Sequence, residues 1–177
     1  MNNFNKFFVA IVIVLTCILL SSCQSTQKLP HTMKKGEPKI ALVLGGGSAK
    51  GFAHIGVIRV LEQEKIPIHM IVGTSVGSLI GGIYAANPDS FQLEWLAFKI
   101  DKNDILDLSI IYSKLGPAQG ARLESFVEQT VTIKKIEDTK IPFFPIATDL
   151  NTGETIIMEK GSLSKAIRAS SAIPGIF

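Results

Sequence analysis

The sequence predicts an α/β fold, a three-layer α/β/α sandwich around a mainly parallel sheet, and three observations carry that expectation. Apolar runs alternate with helical patterns from Lys39 onward, the order that builds a parallel sheet with right-handed crossovers. Two glycine-rich turns, Gly45-Gly46-Gly47-Ser48-Ala49-Lys50-Gly51 and Gly73-Thr74-Ser75-Val76-Gly77, each leave an apolar run and enter a helical pattern. The separation of Gly47 from Ser75 is that of one βαβ repeat, roughly 30 residues. Both turns are therefore expected at the carboxyl ends of parallel strands, where open α/β sheets bind ligands.

Lys39 to Leu44 reads as a buried strand running into the triple glycine. Phe52 to Lys65 fits a helix with Ala53, Val57, Val60 and Leu61 on one face. Ile68 to Val72 reads as the next strand. After it, Val76, Leu79, Ile80, Ile83 and Tyr84 recur at helical spacing. Asp89 to Phe98 is expected to be helical, with Phe91, Trp95 and Phe98 on one stripe. That stripe suits a lid or a surface that dips into lipid. At this spacing ordinary core is the commoner outcome, and core is the expectation. Lys99 to Gly120 is mixed, broken at Gly116-Pro117. Ala121 to Val131 is a helix aligning Leu123, Phe126, Val127 and Val131. Phe143 to Asp149 reads as a core strand, Asn151-Thr152-Gly153 as a turn and Glu154 to Met158 as a strand pairing back. Ser162 is placed to cap a helix over Leu163 to Ser170, ended by Pro174-Gly175.

The N-terminal residues belong to targeting, not to the fold. Lys6 precedes an almost unbroken apolar run from Phe7 to Leu20, shorter than the roughly 20 residues of a membrane span. Leu20-Ser21-Ser22-Cys23 then looks like a lipobox, so residues 1–22 are expected to be a lipoprotein signal peptide and Cys23 the lipidated residue. Residues 23–38 form a polar linker with Pro30 and Pro38, and residues 39–177 the domain. Once the signal is removed, the chain is close to the roughly 150 residues typical of one domain. The formal charge of +3 loses one unit with Lys6, too mild a balance for nucleic acid as a partner. Cys17 leaves with the signal and Cys23 is blocked, so neither a disulfide nor a cysteine metal site is expected.

The Gly73-Thr74-Ser75-Val76-Gly77 turn is a G-x-S-x-G nucleophile elbow, which pushes the Ser75 hydroxyl into the open. Gly73 and Gly77 leave room for neighbouring backbone, and the helix N-terminus behind Ser75 presents free N–H groups to an anion. All three histidines, His31, His54 and His69, precede Ser75, which forbids the Ser, Asp/Glu, His order of α/β-hydrolases. His54 is expected to fix the glycine loop; His31 and His69 receive no role.

Four blocks in order now carry a resemblance. Gly-Gly-Gly-Ser-Ala-Lys-Gly-Phe-Ala-His-Ile-Gly-Val, Gly-Thr-Ser-Val-Gly, Ala-Thr-Asp-Leu-Asn-Thr-Gly-Glu and Ala-Ile-Arg-Ala-Ser-Ser-Ala-Ile-Pro-Gly-Ile-Phe resemble the bacterial patatin-like phospholipases, from about Lys39 to Phe177. The resemblance implies a patatin-like fold and a serine–aspartate dyad that hydrolyses lipid acyl esters, with no metal and no cofactor. It makes Ser75 the nucleophile and backbone N–H groups of Gly45, Gly46 and Gly47 the oxyanion hole. Lys50, followed by Gly51, matches the basic residue that orders that loop. The family's dyad aspartate sits in an Asp-Gly-Gly or Asp-Gly-Ala motif downstream, and no Asp-Gly pair occurs in this chain. Asp149 belongs to a different block, so the base is carried over to no residue. The expectation is a domain incomplete at its C-terminus and weak or inactive by itself.

The leading reading is thus a lipid acyl hydrolase whose substrate is a phospholipid or another lipid ester. It would be tethered through Cys23 to the bacterial envelope, at the outer membrane facing the periplasm. One rival is a non-catalytic lipoprotein that binds acyl chains or scaffolds a partner. Another is a nucleotide-binding domain, weakened because the glycine loop has neither G-x-G-x-x-G nor G-x-x-x-x-G-K-[ST].

Overall fold

The computed structural model describes residues 39–99 and 118–172. Strand β1 (Ala41–Leu44) leads through the glycine loop into a 3-10 turn over Ser48–Phe52 and helix α1 (Ala53–Gln63). Strand β2 (Met70–Gly73) and helix α2 (Val76–Ala86) come next, then α3 (Ser90–Lys99) and α4 (Ala118–Thr130). Strands β3 (Phe143–Thr148) and β4 (Thr155–Ile157) form a hairpin before α5 (Leu163–Ser171). The spatial order is β1-β2-β3-β4; the first three run parallel, and β4 pairs antiparallel with β3. This is the expected α/β architecture, an open, mainly parallel sheet flanked by helices. The mixed segment from Lys99 to Gly120 falls largely outside the described residues, as do the signal, Cys23, the linker and Pro174-Gly175.

Strand alternation shows how the sheet packs. Leu44, Ile71 and Phe143 are buried on one face. A methyl group on Gly81 of α2 would meet Ile71, Leu44 and Phe143, and one on Gly82 would meet Ile167 of α5 and Phe143. Helices α2 and α5 therefore lie on that face. On the opposite face Val43 of β1 is 71% exposed, while α2 and α5 form a helical layer on the buried face. Every residue of α2 is buried, which makes it the central helix of that layer.

Glu62 ties three helices together. Its Oε2 accepts the Tyr84 hydroxyl of α2 at 3.4 Å and the Ser90 N–H that opens α3 at 2.9 Å. Burial, then the negative charge and hydrogen bond of Glu62, push the Tyr84 phenol up to about 12. Tyr84 is thereby kept as a neutral donor to Glu62. At the far end of the layer, the Ser162 hydroxyl caps α5 by accepting from the Lys165 N–H, as expected.

Two expectations fail in the same way. In α1 the buried residues are Ile55 and Ile58, while Val57 and Val60 of the expected inner face are 51% and 54% exposed. In α3 Leu93 is the buried anchor, and Phe91, Trp95 and Phe98 stand out at 73%, 56% and 76% exposure. The stripe is not core. Helical spacing identifies residues that share a face, but neighbouring elements decide which face turns inward. The expected Phe52–Lys65 helix is α1, with Phe52 closing the preceding 3-10 turn and Lys65 lying past its end at φ 56°.

Candidate active site

Register brings the two glycine turns together. Leu44, the last residue of β1, pairs with Gly73, the last of β2, so the loops leave the sheet side by side. The Thr74 N–H donates to the Leu44 carbonyl at 3.0 Å and holds the start of the elbow against β1. A methyl group placed on Gly46 would come 3.4 Å from Ser75 Cβ and 4.0 Å from its Oγ. The triple glycine therefore borders the serine directly, and Gly45, Gly46 and Gly47 are all exposed there.

Ser75 is half-exposed at the start of α2, with φ 56° and ψ −124°. That backbone conformation is strained for a residue with a side chain. It turns the chain from strand to helix within one residue. The Gly77 N–H donates to the Thr74 carbonyl at 2.9 Å, and the Leu79 N–H to the Ser75 carbonyl at 3.0 Å, closing the turn. Both flanking glycines are required by close approach. A Cβ on Gly77 would lie 2.2 Å from the Leu44 carbonyl oxygen, and one on Gly73 2.6 Å from the Gly77 oxygen and Ser78 Cα. These obstacles are backbone, which has no rotamer to yield.

The loop is fastened from several sides. The His54 Nε2–H donates to the Gly45 carbonyl at 2.9 Å, the loop-fixing contact expected of it. The Lys50 N–H donates to the Gly47 carbonyl at 3.1 Å, while its side chain is exposed. Buried Gly51 lets the loop close on α2, since a Cβ there would sit 2.2 Å from Val76 Cγ1. His69 instead serves the other end of the strands, its Nδ1 accepting the Ile40 N–H at 3.0 Å.

No hydrogen bond joins Ser75 Oγ to a carboxylate or imidazole among the described residues. Asp149 is occupied elsewhere: its Oδ1 accepts the N–H groups of Asn151 at 2.8 Å and Thr152 at 3.0 Å. These backbone donors, Thr152 first, hold its carboxyl below the usual aspartate range. It organises the β3–β4 turn.

Two further groups border Ser75. Val76 heads α2, so its N–H has no intrahelical acceptor and lies next to Ser75 in the chain. Ser170 of α5, 8% exposed, accepts the Ser75 N–H on its Oγ at 3.0 Å. The G-x-S-x-G pattern itself signals the first, because the residue after the nucleophile supplies an oxyanion donor in such elbows. Nothing local signals the second; only the adjacent small polar pair Ser170-Ser171 hints at a helix with buried hydroxyls.

The chain is similar to proteins of bacteria and animals. It is 39% identical over 142 residues to a patatin-like phospholipase domain-containing protein of Caenorhabditis elegans, covering 77% of this chain and 10% of that protein. It is 36% identical over 139 residues to an uncharacterized NTE family protein of Mycobacterium tuberculosis, covering 78% of this chain and 39% of that one. With human patatin-like phospholipase domain-containing protein 6 it shares 34% identity over 140 residues, 77% of this chain and 10% of the human protein. The chain thus spans well under half the length of these curated relatives. The patatin-like phospholipase family matches residues 42–177, from the second residue of β1 onward, so the match takes in the glycine loop and the elbow. On that match, the chain belongs to the patatin-like phospholipase family.

Proposed function

We propose that this domain hydrolyses lipid acyl esters through Ser75. The observation that supports it best is the Gly46–Ser75 approach, which sets a half-exposed hydroxyl beside a row of exposed backbone amides. In this reading Ser75 Oγ attacks the ester carbonyl, and the oxygen that becomes negative is received by N–H groups of Gly45 to Gly47 and of Val76. The positive end of α2 adds to that stabilisation. The alcohol part of the lipid leaves, and water then releases the acyl group from Ser75. The proton of Ser75 needs a base, which the family resemblance places in an Asp-Gly motif and which we assign to no residue of this chain. The exposed Phe91, Trp95 and Phe98 give the domain an apolar surface suited to a lipid aggregate.

A fluorophosphonate probe applied to the full chain in detergent tests this. Slow labelling that disappears in Ser75→Ala is expected, because a serine without its base is a poor nucleophile. No labelling at all, or labelling that survives the substitution, would favour the non-catalytic acyl-binding lipoprotein. The membrane address belongs to the same proposal: a lipid tether on Cys23, at the outer membrane facing the periplasm. Incorporation of an alkynyl fatty acid in bacteria, abolished by Cys23→Ala, is the expected result; equal incorporation in the variant refutes the tether.

A further inference from the structure

A residue with a side chain stays at φ 56° and ψ −124° only where its surroundings over-determine it. Around Ser75 most of the fastening is backbone to backbone: Thr74 to Leu44, Gly77 to Thr74 and Leu79 to Ser75. The Ser75 N–H is different. Its acceptor is a side chain 95 residues away, the Ser170 hydroxyl near the end of α5. That hydroxyl has one proton to give, and it gives it to the Ile146 carbonyl of β3 at 2.5 Å. With its donor so committed, Ser170 Oγ meets the Ser75 N–H as an acceptor, and the direction of both bonds is set. At 8% exposure little water is at hand to replace it.

We propose that Ser170 is a positioning residue for the nucleophile: it links β3 to the elbow and holds the Ser75 backbone in its strained turn. The same bond also sorts the donors of the site. Because the Ser75 N–H is occupied, the oxyanion donors are the glycine loop and Val76, and Ser75 contributes only its hydroxyl. This role rests on the hydrolase reading for its catalytic meaning, but the positioning itself does not.

The test uses the full chain in detergent and two readouts. Ser170→Ala leaves the Ser75 N–H without its acceptor, and exchange of the Ser75 amide is expected to accelerate at least about tenfold. In fluorophosphonate labelling the maximal rate is expected to fall about tenfold or more, with the half-saturating probe concentration nearly unchanged. Ser171→Ala, which removes the next buried hydroxyl of the same helix, is the control for general loosening and should change neither readout. Where Ser170→Ala does not fold, Ser170→Cys, similar in size but a weak acceptor, gives the same comparison. Unchanged exchange at Ser75 in the Ser170 variant, or the same acceleration in Ser171→Ala, overturns the proposal. If the wild-type chain takes no label, the hydrolase reading fails while amide exchange still decides the role of Ser170.

Discussion

Ser75 holds a backbone conformation that costs stability, and the proposed nucleophilic role gives that cost a purpose. Its positive φ costs about 1–3 kcal/mol relative to a relaxed backbone. Glycine adopts such angles freely but loses more chain entropy on folding, so Ser75→Gly should recover a net of about 1 kcal/mol. In a domain of this size that is about 2–4 °C in thermal midpoint. Ser75→Ala keeps a Cβ in the same strained position and should melt with the wild type. Both variants lose the hydroxyl proposed to react with the probe. Calorimetry of the pair against wild type checks this, and a glycine variant no more stable than the alanine variant would show that the turn is not strained.

At the level of elements, the β3–β4 hairpin depends on one ionised side chain. Asp149 receives two backbone N–H groups in the turn, and its carboxyl is held below the usual aspartate value. The stabilisation is therefore fully present above the unfolded-state value of about 3.9, and is lost as pH falls through the lower folded-state value. Asn at this position still accepts hydrogen bonds but does not titrate. Asp149→Asn should lose less thermal stability than wild type between pH of about 5 and about 2.5. Glu137, lowered by its own N–H and that of Gly161, titrates in both proteins and cancels in the comparison. Equal acid sensitivity of the two would remove Asp149 from this role. The other elements teach a related lesson. The periods of α1 and α3 name residues that travel together, yet Val57, Val60 and the aromatic stripe face outward because Ile55, Ile58 and Leu93 meet the rest of the layer.

Across the whole molecule, the sheet carries unequal burial on its two faces. Ile71 is fully buried against α2, while Val43 of the neighbouring strand is 71% exposed on the other side. Ile71→Ala should cost about 2–5 kcal/mol by leaving a cavity under α2. Val43→Thr keeps a β-branched residue in the strand and should change stability by no more than about 0.5 kcal/mol. Denaturant titration measures both. A large loss at Val43 would mean that its face is covered in solution.

The primary sequence by itself determined the succession of strand, glycine turn, helix, strand and elbow, because each is written in neighbouring residues: an apolar run, a glycine where backbone approaches backbone, a helical period. Parallel pairing of the first two strands came from the length of one crossover, and so the meeting of the triple glycine with Ser75 was legible in the chain itself. Only the tertiary structure decided which faces of α1 and α3 point inward, since that depends on what packs against them. It alone revealed the Ser170 hydroxyl beneath the elbow. A hydrogen bond between residues 75 and 170 leaves no local pattern, for it exists only once β3 and α5 have closed on the end of β2.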